Sequence, residues 1–139
     1  MPFVKETVYI NAPPEKVYDV IADVENFWRF SNLIKSITAS GAATYHWIVN
    51  VYGIELEWEA KVVENIKPTR FAWESISGVE NSGAYILEST KDGTNVMFSM
   101  EYHLPNLILE KLAQVVTGGF MEKVASEILA NVKKELEVS

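Results

Sequence analysis

The chain contains no cysteine. Disulfide staples, thiolate nucleophiles and Cys-based zinc or iron–sulfur sites are thereby excluded. The same absence suits the reducing cytoplasm, which is the expected location. Histidine is nearly as rare. His46 and His103 are the only two, and they form no H-x-H or H-E-x-x-H pattern, so no metal site is expected. No G-x-S-x-G elbow marks a serine nucleophile, and Gly78, Gly83, Gly118 and Gly119 form no phosphate-cradling loop. No cofactor is expected. Positive charge is short as well: 12 Lys and Arg stand against 19 Asp and Glu, for a net charge of -7. Nucleic acids and anionic lipid surfaces both recruit Lys and Arg, so neither is an expected partner. No apolar run approaches the ~20 residues that cross a bilayer, so no integral membrane association is expected. Met1 to Ile10 alternates apolar and polar residues and lacks the continuous apolar core of a signal peptide.

What the chain does have is apolar and aromatic surface. Its 139 residues are 48% hydrophobic and 22% charged, with four Trp, six Tyr and six Phe. This is a globular composition, and the length fits one domain over residues 1–139. A chain of this size buries roughly 68% of its unfolded surface, enough for a sizeable core.

Phe3 to Ile10 alternates as a strand does. Pro13-Pro14 then opens a helix, because a proline in the first turn loses no needed N–H. Val17, Val20, Ile21 and Val24 follow at helical spacing, and a second short helix is expected over Glu25 to Phe30. Strands are expected at Leu33 to Ser40, Thr44 to Tyr52, about Glu55 to Val62, Arg70 to Ser77, Ala84 to Thr90 and Thr94 to His103. Gly78 to Gly83 reads as a loop, and Lys91-Asp92-Gly93 as a hairpin turn. After Pro105 the period lengthens. Leu109, Leu112 and Val116, then Met121, Val124, Ile128 and Val132, recur every three or four residues, which predicts an amphipathic helix from Asn106 to Glu137. Gly118-Gly119 predicts a kink or break within it.

Strands in series followed by a helix indicate an α+β fold. A curved antiparallel sheet of about seven strands must bury its inner face, and only the last helix is long enough to cover it. Two short helices would lie between strands 1 and 2.

Four segments carry a family likeness: Ile10-Asn11-Ala12-Pro13-Pro14-Glu15-Lys16-Val17-Tyr18; Val24-Glu25-Asn26-Phe27-Trp28-Arg29-Phe30; His46-Trp47 with Glu57-Trp58-Glu59-Ala60; and Phe71-Ala72-Trp73-Glu74-Ser75, leading through Gly78 to Asn81-Ser82-Gly83. With the element order they resemble the Bet v 1-like, START-related (SRPBCC) superfamily, within it the polyketide cyclase/dehydrase and coenzyme Q-binding branch. The resemblance covers nearly the whole chain. It implies a helix-grip fold, in which the sheet wraps around the C-terminal helix and a hydrophobic ligand sits between them.

Period-two alternation groups the large side chains by face. Tyr45, Trp47, Val49 and Val51 share one; Trp58 lies with Leu56, Ala60 and Val62; Phe71, Trp73 and Ser75 share another; Phe98, Met100 and Tyr102 another. If those faces point inward, they form an aromatic wall suited to a lipid, quinone or polyketide. The expected ligand-binding residues are Tyr45, Trp47, Trp58, Phe71, Trp73, Ser75, Tyr85, Leu87, Phe98, Met100 and Tyr102 from the sheet, with Leu112, Val116 and Phe120 from the helix. Gly78 and Gly83 in their loop, and Gly118 and Gly119 in the helix, are the expected gate. Glu55, Glu57 and Glu59 all oppose Trp58 and read as a solvated strand face rather than an acid–base set. His46 likewise faces away from Trp47.

The leading functional expectation is a noncatalytic binder of a small hydrophobic molecule, acting as carrier, sensor or chaperone. A cyclase/aromatase or dehydratase working in the same cavity is the alternative, with Tyr102 and His103 as weak candidates for proton transfer. A protein-interaction module, with a protein partner or homodimer, is the third.

Overall fold

The computed structural model describes residues 2–113 and 118–137. Phe3–Ile10 forms β1, followed by helix α1 (Pro14–Ala22) and a 3-10 helix (Val24–Phe30). Strands β2 (Ile34–Gly41), β3 (Thr44–Val51), β4 (Ile54–Ile66), β5 (Arg70–Gly78), β6 (Glu80–Ser89) and β7 (Thr94–His103) come next. Helices α2 (Asn106–Lys111) and α3 (Phe120–Glu137) complete the described elements. Together they give the expected helix-grip architecture.

The sheet order is β1-β7-β6-β5-β4-β3-β2, antiparallel throughout. Consecutive strands from β2 to β7 are neighbours, and β1 closes the far edge against β7. Register shifts interrupt the β4–β5 ladder between Glu59 and Ala60 and between Val62 and Glu64. Others interrupt β2–β3. Such bulges bend a strand and increase its twist, so the sheet curls around the space on its inner face.

Helix α1 begins at Pro14, as a proline in its first turn allows. It buries Val17, Tyr18 and Ile21, while the 3-10 helix buries Val24, Phe27 and Phe30. The fully buried Thr94 hydroxyl donates to the Ala12 carbonyl at 2.8 Å, tying the start of β7 to the turn before α1.

Three expectations need correction. The second short helix is a 3-10 helix that begins at Val24. The loop expected from Gly78 to Gly83 shrinks to Val79, since β6 starts at Glu80 and Gly83 pairs with Met100 in mid-strand. Gly83 is there for room: a Cβ on it would lie 2.6 Å from Cη2 of Trp73. Finally, among the described residues the helix expected from Asn106 is interrupted after Lys111 as well as at the anticipated Gly118-Gly119 break. α2 ends at Lys111, and α3 begins after Gly119, whose φ of +78° is left-handed and favours glycine.

Helix α3 buries Ala125, Leu129 and Val132. Its last turns are fastened by polar contacts. Glu135 takes two hydrogen bonds from the Arg29 guanidinium, at 2.7 and 2.8 Å. Asn131 donates to the Phe30 carbonyl at 3.0 Å, Lys133 donates to the Tyr9 carbonyl at 2.6 Å, and Glu137 accepts the Asn11 N–H at 2.8 Å.

Candidate functional site

A cavity of about 200 Å³ lies between the inner face of the sheet and the N-terminal half of α3. The strands build most of its wall, because their inward residues fall on one face. Trp47 and Trp58 are directly paired across β3 and β4 and stack at 5.8 Å with their planes 11° apart. Trp73, Tyr85 and Phe98 form a second group on β5, β6 and β7: Trp73 lies 5.8 Å from Tyr85 and 6.1 Å from Phe98, and Tyr85 lies 5.1 Å from Phe98. Phe27 of the 3-10 helix joins the two groups, 6.4 Å from Trp47 and 6.2 Å from Tyr85. Met121, Val124, Ala125 and Ile128 of α3 close the opposite side.

Of the expected ligand-binding residues, Tyr45, Trp47, Trp58, Phe71, Trp73, Tyr85, Phe98, Met100, Tyr102 and Leu112 line this cavity. Ser75, Leu87 and Phe120 do not. Ser75 is a support: its hydroxyl accepts the Asn81 N–H at 2.9 Å, and Asn81 Oδ1 in turn accepts Trp73 Nε1–H at 2.9 Å. Asn81 also donates to the Val79 carbonyl at 3.0 Å, so its amide is engaged on both sides. Leu87 packs in the core beyond the cavity. Phe120 turns toward the β3–β4 hairpin, where its ring lies 5.4 Å from that of Tyr52. Val116 lies outside the described residues.

His103 ends β7 exposed, on the face opposite Tyr102, and does not reach the cavity. His46 Nε2 sits 3.0 Å from Glu57 on the outer face, and Glu55 pairs there with Lys35 at 3.0 Å. The solvated reading of that carboxylate row therefore holds. Of the expected gate, Gly83 sits inside the sheet, Gly78 ends β5 with φ +78°, and Gly118 and Gly119 precede α3.

The alternation argument missed the lining supplied by helices. Ile21, Val24 and Phe27 face the cavity, as do Met121, Val124 and Ile128. The 3.6-residue pattern that marked these residues as apolar was the available signal. It identifies a buried face but not whether that face meets side chains or space.

The electrostatics of the site are simple. None of the described residues lining it is Asp, Glu, Lys, Arg or His. Burial pushes the Tyr85 phenol far above its ordinary value. Tyr102 is raised too, by burial first and then by the negative charge of Glu122. Both phenols hold their protons at neutral pH and are donors rather than bases. Chemically the site can enclose an apolar body and offer it a few hydroxyl and indole donors.

A curved antiparallel sheet gripping a C-terminal helix around an apolar cavity defines the helix-grip class of Bet v 1-like, START-related proteins. The match to the family model for polyketide cyclase/dehydrase and lipid transport spans residues 1–137, and the chain belongs to that family. It is 27% identical over 136 residues to an uncharacterised 17.2 kDa protein of Streptomyces lincolnensis, covering 96% of this chain and 89% of that one. Among solved structures it is similar to TTHA0849 from Thermus thermophilus (TM-score 0.79, 23% identity, 97% of each chain). It is also similar to a START superfamily protein from Mycobacterium smegmatis (0.75, 16%, 98% of this chain and 99% of that one). The aromatase/cyclase Zhui from a Streptomyces strain, R1128, matches at 0.70 and 17%, over 98% of this chain and 96% of that one. These likenesses agree with the superfamily resemblance read from the four segments.

Proposed function

We propose that this protein binds a small hydrophobic molecule without transforming it, as a carrier, sensor or chaperone. The observation that carries this reading is the cavity itself: about 200 Å³ of space bounded by aromatic and aliphatic side chains under α3. Apolar space of this kind stays dry and takes up apolar molecules; an engineered cavity of roughly 150 Å³ accommodates benzene. Each Å² of apolar ligand surface withdrawn from water contributes about 25 cal/mol. Many ligand sites are larger, roughly 300–1,000 Å³, so the resting cavity suits a compact molecule rather than a long acyl chain. Exchange would proceed by movement of the start of α3 at Gly118 and Gly119. Gly118→Ala with Gly119→Ala is expected to slow exchange of a bound probe in stopped-flow fluorescence; unchanged kinetics would remove the gate.

The decisive experiment is native mass spectrometry of freshly purified protein, with organic extraction of whatever accompanies it. Recovery of one stoichiometric hydrophobic compound is the expected result. A stoichiometric protein partner with no extractable compound would favour an interaction module instead. The absence of cysteine supports a cytoplasmic setting.

A cyclase/aromatase or dehydratase is the second reading, favoured by the protic side chains Tyr85 and Tyr102 on the cavity wall and by the likeness to an aromatase/cyclase. Against it stands the lack, among the described lining residues, of a carboxylate or imidazole to act as base. Turnover of a polyketide chain that is lost in Tyr102→Phe would favour the enzyme.

A further inference from the structure

We infer that the occupant is a neutral, ring-sized molecule carrying a carbonyl or hydroxyl oxygen, and that this oxygen accepts a hydrogen bond from Tyr85. The inference rests on the binding reading above and specifies the ligand for that same cavity.

Tyr85 is 7% exposed and lines the cavity, ringed by Phe27, Trp73 and Phe98. Its hydroxyl makes no hydrogen bond with any described residue. No fully enclosed side-chain oxygen or nitrogen lacks a partner among the described residues, so the Tyr85 oxygen must border open space. The open space beside so deeply buried a ring is the cavity. A buried phenol almost always has a partner, because leaving one unpaired is costly. The missing partner is therefore expected on the ligand.

The polar groups packed against Tyr85 do not compete for this role, while Tyr45, Trp47 and Trp58, whose side chains make no hydrogen bond with any described residue, line the cavity from β3 and β4. The Trp73 indole N–H is already taken by Asn81, and the amide of Asn81 is taken by Trp73 and Val79. Among the described residues Tyr102 is also a buried phenol without a hydrogen bond, but it stands four residues beyond Phe98, the β7 partner of Tyr85. At about 3.3 Å per residue their backbone positions are offset by about 13 Å along the strand direction. A molecule that fits about 200 Å³ reaches one of them, and Tyr85 is the one enclosed by rings.

Charge fixes the rest. A carboxylate in this cavity would meet no cation among the described lining residues, and the negative charge of Glu122 is felt at Tyr102. Burying an unpaired anion is strongly unfavourable. The ligand's polar group must be neutral and must accept.

Three probes of similar size separate these statements by isothermal titration calorimetry: butyrophenone, butylbenzene and phenylbutyrate. The ketone should bind about three- to tenfold more tightly than the hydrocarbon, the ordinary worth of one neutral hydrogen bond. The anion should bind weaker than the ketone by on the order of a hundredfold. Tyr85→Phe should erase the ketone's advantage over butylbenzene. A cooperative thermal unfolding transition followed by circular dichroism checks that the variant is folded. Equal binding of ketone and hydrocarbon to the unmodified protein, or a preference for the anion, would overturn this inference while leaving the binding reading intact. Failure of all three probes to bind would overturn both.

Discussion

The two halves of α3 do opposite things. From Asn131 onward the helix is bolted down by hydrogen bonds to Phe30, Arg29, Tyr9 and Asn11, over a core that includes Leu129 and Val132. Its first turns, from Phe120 to Val124, face empty space through Met121 and Val124, and touch the β3–β4 hairpin through Phe120 and Tyr52. One helix thus serves as structural beam at its end and cavity roof at its beginning. Polar contacts demand fixed geometry, whereas apolar contact to a void tolerates displacement. Under the proposed binding function, the motion that would admit a ligand belongs at the Gly119 end.

The largest expected effect tests that division directly. Leu129→Ala, in the fastened half, should cost about 2–5 kcal/mol in denaturant unfolding, because the surrounding core cannot close the gap. Met121→Ala should cost about 1 kcal/mol, since that side chain already borders a void and forfeits fewer contacts. Equal losses would erase the contrast. A second, smaller effect separates wall from roof. Gly83→Ala should cost about 1–3 kcal/mol by driving a methyl against the Ser99 carbonyl oxygen and the Trp73 indole, and should alter the near-ultraviolet circular dichroism of the tryptophans. An unperturbed spectrum would mean that the wall yields as easily as the roof.

The smallest effect concerns the bolts. Arg29 and Glu135 keep side-chain exposures of 29% and 40%, so solvent screens them and a double-mutant cycle should return only about 0.5 kcal/mol at neutral pH. The hydrogen bond from Arg29 holds the Glu135 carboxyl below its usual value. A group with a depressed folded-state value stabilises the fold above its unfolded value, about 4.3, and loses that contribution as pH falls through the folded value. The coupling should therefore vanish in acid and persist from about pH 5 upward. A coupling that grows in acid would mean that the pair does not fasten the helix as described.

Much of the sheet was legible because alternation is local. Trp47, Val49 and Val51 share a face whatever the rest of the chain does, and so do Leu56, Trp58, Ala60 and Val62. Their facing each other followed from the hairpin, whose two-residue loop, Tyr52-Gly53, has positive φ at both positions. Gly83 misled for a physical reason. A glycine in sequence signals a turn or a close approach, and only the position of Trp73 on the neighbouring strand distinguishes the two. Ser75 misled similarly, as its face was right but its hydroxyl was claimed by Asn81. Phe120 is one residue before Met121 and so about 100° around the helix from it, which turns its ring to Tyr52 rather than to the cavity that Met121, Val124 and Ile128 line.

The amino-acid sequence by itself determined the element types, the apolar face of each, the acidic outer surface and the scarcity of charge available to the interior, because all of these follow from residue identity and short-range spacing. Only the tertiary structure decided that the faces enclose about 200 Å³ rather than meet, and that among the described residues Tyr85 has no hydrogen-bond partner while Trp73 has one. Both outcomes depend on distances between residues far apart in the chain, set by strand register, bulges and the docking of α3, and no local pattern encodes those distances.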